Sequence, residues 1–141
     1  MGRLGRENAE PFFSWRRISY AIVDRARRAI AALLRDRLRG GGRLCPGYTD
    51  LVLWREGRGM NAHRDNLAPH FEHRLCSSIL CLTECEGGAT VFPDPGIEVP
   101  PETGKMIACP SSMAHGVSPV AAGMRRTLAS WYTAEFGRGE P

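Results

Sequence analysis

From Ser14 to about Arg39, apolar residues recur at three- and four-residue steps. Ile18, Ile22, Ala26, Ala29, Ile30, Leu33 and Leu34 form the stripe, and arginines fill the gaps. That period predicts one amphipathic helix. Ser14 is a candidate cap for its start. Gly40-Gly41-Gly42 ends it, because glycine accepts the left-handed geometry that follows a helix. The expected use of the stripe is packing against the next unit, with the arginine face in solvent.

After Cys45-Pro46-Gly47 the period changes. Short apolar or alternating runs cover 48–54, 75–82, 89–92, 105–109, 116–120 and 125–133. Between them stand turn residues such as Glu86-Gly87-Gly88, Asp94-Pro95-Gly96 and Ala122-Gly123. This spacing predicts a mainly β unit, a sandwich or barrel. The chain therefore divides into a polar leader with an Arg-rich helix (1–43), a β domain (44–134) and a short tail (135–141).

Composition narrows the class. A chain of 141 residues suits one domain, and 43% hydrophobic with 24% charged residues is the range of a soluble globular protein. The longest apolar run, 29–34, is far below the ~18 residues of a membrane span. The first residues contain no apolar core of a signal peptide. Five cysteines, an odd number without a CxxC pair, read as reduced thiols, so a cytoplasmic location is expected and a membrane partner is not. The net charge of +4 is uneven: eleven arginines face four acids in 1–43, and the remainder is mildly acidic. The basic surplus thus belongs to the helical leader and says little about a ligand of the β domain.

The chemistry lies in two of the four histidines. His63-Arg64-Asp65 places an imidazole and a carboxylate two apart, which on an extended segment puts both on one side. His115 follows fifty residues after Asp65. Two His and one carboxylate are the facial triad of non-haem iron(II) oxygenases, although the pattern alone is a weak signal. Ten residues after His115, Arg125 opens the last apolar run and offers a two-point fork for a carboxylate. His70 and His73 read as exposed loop residues. Cys81 and Cys85 lack the four-ligand spacing of a zinc site.

Three longer stretches carry a resemblance: LVLWREGRGMNAHRDN at 51–66, RLCSSILCLTECEGGATVFP at 74–93 and TGKMIACPSSMAHGVSPVAAGMRRTLASWYT at 103–133. In order and spacing they resemble the iron(II)- and 2-oxoglutarate-dependent dioxygenases of prolyl-hydroxylase type. HRDN and AHGV look closest to the leprecan, or prolyl 3-hydroxylase, branch. The resemblance implies a double-stranded β-helix (jelly-roll) core with the N-terminal helix packed on it. It implies Fe(II), 2-oxoglutarate as cosubstrate, O2 and accessory ascorbate. His63, Asp65 and His115 would bind iron, and Arg125 would pair with the distal carboxylate of 2-oxoglutarate. Thr127, Ser77 and Trp131 would line the same cosubstrate site, while Gly87, Gly88, Thr90 and Phe92 read as structural. Two positions depart from the family, which carries Tyr where this chain has Cys81 and Trp54. A thiol is a poor donor, and an indole donates one bond and accepts none.

The implied reaction is hydroxylation of an unactivated C–H bond in a prolyl residue or a small amino-acid-like metabolite. A peptide or small molecule is therefore the expected partner. A nucleic-acid-directed oxygenase ranks lower, because adjacent Arg125 and Arg126 point to opposite faces. A non-catalytic jelly-roll binding module ranks lower too, because triad and Arg125 are intact. The sequence leaves the oligomeric state open.

Overall fold

A computed structural model describes the backbone of residues 17–37 and 44–134, with side chains from 24–34 and 44–134. The Ser14 cap, the glycine run at 40–42 and the tail 135–141 lie outside the described residues. Helix α1 spans Arg17–Arg37. The strands are β1 (Leu44–Arg55), β2 (Met60–His63), β3 (Arg74–Cys81), β4 (Glu86–Gly87), β5 (Thr90–Phe92), β6 (Ile97–Val99), β7 (Met106–Pro110), β8 (His115–Val117), β9 (Val120–Ala122) and β10 (Met124–Ala134). No helix among the described residues is long and apolar enough to cross a membrane.

Two four-stranded sheets form, in the orders β1-β10-β3-β7 and β2-β8-β5-β6, with β4 and β9 as a separate pair. All pairings are antiparallel. The mainly β jelly roll and the single N-terminal helix agree with the sequence pattern. The 116–120 run is in fact two strands, β8 and β9, parted at Ser118-Pro119, where proline cannot continue a ladder. Strands β2, β4 and β6 are only two to four residues long and largely exposed, so they carry no apolar run to read.

Helix α1 closes the outer face of the larger sheet. Ile30, Ala31 and Leu34 form one buried cluster with Leu44, Cys76 and Tyr132. Arg27 Nη1 donates to the Gly47 carbonyl oxygen at 2.9 Å, tying the helix to the bend in β1. Asp24 bonds both Arg27 and Arg28, so part of the arginine face is paired within the helix. Tyr132 is fully buried and its hydroxyl meets Ser78 Oγ at 2.9 Å. Tyr132→Phe leaves Ser78 without that partner. The expected cost is about 1 kcal/mol, read as a lower urea midpoint at unchanged slope.

The inner face of the larger sheet shapes a cleft. On β10 the outward residues Leu128, Ser130 and Tyr132 are buried under the helix side. Inward-facing Ala129 and Trp131 stay half-exposed, while Thr127 and Arg125 are buried. The space between the sheets is therefore open at the Trp131 end and closed at the Arg125 end. Trp54, Val117 and Val120, with Val52 and Cys85 against them, join the two sheets near the closed end.

Candidate metal centre

The three triad residues come from two short strands and one turn. His63 ends β2 and pairs directly with His115, the first residue of β8. Gly116 makes this pairing possible. A Cβ there would lie 2.7 Å from the Met60 carbonyl oxygen and 3.0 Å from the Ala62 nitrogen, so any side chain pushes the strands apart. Gly116→Ala should therefore separate His63 from His115 and weaken iron(II) binding at least ~10-fold, measured by metal titration of the anaerobic protein.

Asp65 does not sit on an extended segment, as the sequence suggests, but in the turn after β2. The Asp65 amide donates to the Ser111 carbonyl oxygen at 2.9 Å, and Arg74 Nη1 donates to the Asp65 carbonyl oxygen at 3.4 Å. These two bonds fix the turn. The carboxylate then lies 3.3 Å (Oδ1) from His63 Nε2 and 3.6 Å (Oδ2) from His115 Nε2. His63 Nδ1 faces the Asn61 carbonyl oxygen at 3.2 Å, and His115 Nδ1 faces that of Met113 at 3.1 Å. A carbonyl only accepts, so each Nδ1 carries a proton, and in the neutral ring each Nε2 turns its lone pair toward Asp65.

Three ligand atoms thus converge within 4.8 Å of one another, with Asp65 and His115 buried and His63 half-exposed. Lone pairs facing a carboxylate need a cation between them, a proton or a metal. The hydrogen bond to Asp65 accordingly holds His63 above its ordinary pKa, against the effect of burial. Burial alone would raise the Asp65 carboxyl. Hydrogen bonds from His63 and Ser77, the His115 charge and the Trp131 indole outweigh it and bring it down to about 2. Ser77 is itself held by Ser111, Oγ to Oγ at 2.9 Å.

A pH profile of the metal-free protein follows from these two shifts. The Asp65 contribution is complete above the ordinary value of 3.8 and is lost as pH falls toward about 2. The His63 contribution is complete below 6.5 and is lost as pH rises through its elevated pKa. The pair should stabilise most between about pH 4 and pH 6.5, and Asp65→Asn should flatten that maximum in urea titrations across pH.

The closed end holds a cation. Arg125 is 2% exposed, and its Nη2 donates to Thr90 Oγ1 at 2.9 Å. Burial pushes its pKa down. No carboxylate pairs with it among the described residues, and its Nε has no partner. Trp54, directly opposite Arg125 in the β1–β10 register, also buries an unpartnered indole N–H. Trp131 Nε1, at the metal end, is turned instead toward the Asp65 carboxylate. Both closed-end groups are donors, so that end of the cleft lacks acceptors. A dicarboxylate with a metal-binding end supplies what is missing.

The residues singled out in the sequence therefore divide by position. Ser77 and Trp131 stand at the metal end, directly opposite each other in the β10–β3 register. Arg125 and Thr127 stand at the closed end, where Cys81 is buried opposite Thr127 in that same register. His70 and His73 are exposed in the loop after Asp65. Among the described residues, His63, Asp65 and His115 are the one group placed to hold a metal, and Cys81 and Cys85 join none. Sequence reasoning reads Thr90 as structural but misses its support of Arg125, and it misses Ser111, which supports Ser77 and the Asp65 turn. Both are ordinary strand or turn residues whose partners are distant in the chain. It also missed the rim, where the Arg74 guanidinium lies 3.7 Å from the Phe71 ring centre and 4.4 Å from that of Trp131.

Comparison with known proteins gives the same direction. Residues 49–133 match the profile of the 2OG-Fe(II) oxygenase superfamily. A viral collagen prolyl hydroxylase from Paramecium bursaria Chlorella virus-1 superposes with a TM-score of 0.68 at 17% identity, covering 91% of this chain and 80% of that one. A Trichoplax adhaerens prolyl hydroxylase, solved with a hypoxia inducible factor peptide, gives 0.68 at 18% identity over 89% and 61%. A Pseudomonas putida prolyl-4-hydroxylase gives 0.58 at 24% identity over 82% and 62%. This chain thus spans less than two thirds of the last two. At these identities the superpositions speak to the fold. No curated protein sequence matches.

Proposed function

The chain belongs to the 2OG-Fe(II) oxygenase superfamily, and on that premise we propose that it hydroxylates an unactivated C–H bond of a prolyl residue or a small amino-acid-like molecule. The family's chemistry requires iron(II), 2-oxoglutarate and O2, and the residues present fit the first two. The observation that carries the reading is one cleft with three converging ligand atoms at its open end and, at its closed end, a buried guanidinium that no carboxylate of the described residues pairs.

In this reading His63 and His115 hold iron through Nε2, and Asp65 holds it through the carboxylate. Ser77 and Trp131 keep that carboxylate aligned and charged. Arg125, braced by Thr90, takes the distal carboxylate of 2-oxoglutarate. The Trp54 indole N–H and the Thr127 hydroxyl add donors where the family's tyrosines are absent. Iron held there with 2-oxoglutarate and O2 would supply the oxidation of C–H to C–OH, the cosubstrate leaving as succinate and carbon dioxide. The side chains bind, orient and exclude water, and none is required as a nucleophile or as an acid–base pair.

The finer reading has further parts. Prolyl substrate is supported by the fold neighbours named above and by the aromatic rim of Phe71 and Trp131. The prolyl 3-hydroxylase branch rests on HRDN and AHGV, and ascorbate is the accessory reductant. Residues 44–134 are the catalytic domain and α1 is its brace. Five free cysteines favour a reducing, cytoplasmic compartment. Succinate release, screened against proline peptides, free amino acids and oligonucleotides, tests the substrate class. Stimulation by a proline peptide or an amino acid is expected, and stimulation by oligonucleotides alone contradicts the reading.

A further inference from the structure

The open wall of the cleft carries a carboxylate that neither the metal centre nor the cosubstrate site uses. Asp50 lies on β1 opposite Ala129 of β10. The register runs without a break from Thr49 to Arg55, so Asp50 shares its face with Val52 and Trp54. That face meets Val117 of the opposite sheet and Val120 of β9, which makes it the inner one. Across the sheet at the same level stand Ala129 and then Ile79, both half-buried. The small Ala129 side chain leaves the carboxylate room.

Asp50 is half-buried and has no hydrogen bond or ion pair among the described residues. Partial removal of a carboxylate from water without a partner costs free energy. The other carboxylate of this cleft, Asp65, is engaged by both histidines. Toward the open end lies Tyr48, stacked on Trp131 with ring centres 6.1 Å apart and planes at 20°. An unpaired carboxylate beside aromatic faces is the combination that recognises an organic cation.

Charge accounting agrees. Iron(II), ionised Asp65, dianionic 2-oxoglutarate and Arg125 cancel. The Arg74 cation at the rim is engaged with Phe71, Trp131 and the Asp65 carbonyl oxygen. Asp50 remains as negative charge on the cleft wall, available to an incoming group. Resting on the oxygenase reading above, we infer that Asp50 is a specificity-determining residue, and that the substrate carries a protonated amine or guanidinium which seats on Asp50 beside the Tyr48–Trp131 stack.

That cation has two sources, the amino group of a free amino acid or the side chain of a basic residue beside a target proline. Matched probes separate them. L-proline is compared with N-acetyl-L-proline, and an Arg-Pro peptide with its citrulline-Pro counterpart. Each is titrated calorimetrically into the anaerobic full chain loaded with iron(II) and 2-oxoglutarate. In one pair the cationic member should bind at least ~10-fold more tightly than its neutral partner. Asp50→Asn should erase the difference and Asp50→Glu should keep it. Equal binding within both pairs, a preference that survives in Asp50→Asn, or no binding of either cationic probe up to about 10 mM overturns the inference. Failure of the oxygenase reading shows separately, as no heat of 2-oxoglutarate binding to the iron-loaded wild type before any probe is added.

Discussion

Asp65→Ala should abolish iron(II) binding and all 2-oxoglutarate-dependent succinate release. Two histidines remain, but the charge that complements the metal is gone. Loss of a group that merely supports a ligand costs ~10–100-fold in affinity, so loss of this ligand should exceed ~100-fold. The same substitution removes the principal cause of the raised His63 pKa. In the metal-free variant the His63 ring signals should therefore titrate at lower pH than in the wild type, as followed by NMR. That second readout separates loss of the carboxylate from global unfolding. Iron affinity within a few-fold of the wild type would contradict the assignment.

Arg125→Met is the second large effect, and it has two opposite parts. A buried, incompletely bonded cation destabilises the empty fold, so an apolar chain of similar length should raise its stability. The expected gain is about 1–3 kcal/mol, the scale of one buried unsatisfied group. The cosubstrate loses its counter-ion at the same time. Truncating one partner of a buried, hydrogen-bonded charge pair costs about 2–5 kcal/mol, roughly 30-fold to several-thousand-fold in 2-oxoglutarate affinity. Iron binding should persist, because Arg125 touches none of the three ligands. Thermal melts with and without 2-oxoglutarate read both parts. A variant that is less stable when empty, or that keeps the cosubstrate shift, contradicts the role given to Arg125.

The helix and the long strands were legible because each buries one face, which leaves a period in the sequence. Leu128, Ser130 and Tyr132 alternate with Thr127, Ala129 and Trp131 on β10, and that alternation places Arg125 and Trp131 on the inner face. The short strands were not legible, since Glu86-Gly87 and Met60–His63 are largely exposed and bury no stripe. The triad was legible as residue types in family order. Its geometry was not, because Asp65 is positioned by a turn bonded to Ser111 and Arg74 rather than by strand alternation. Partners such as Thr90 for Arg125 stand 35 residues away and depend on sheet register. Asp50 is an ordinary acid in the sequence, and it becomes informative only when the register puts it on the wall of the cleft.

One spectroscopic experiment bears most directly on the central claim. Iron(II) and 2-oxoglutarate are added to the anaerobic wild-type chain, and the visible charge-transfer absorption of an iron(II)–2-oxo acid complex is recorded. The account predicts a band that is absent in Asp65→Ala and that needs more 2-oxoglutarate to appear in Arg125→Met. No band in the wild type, with Asp65→Ala indistinguishable from it in iron binding, would contradict the account.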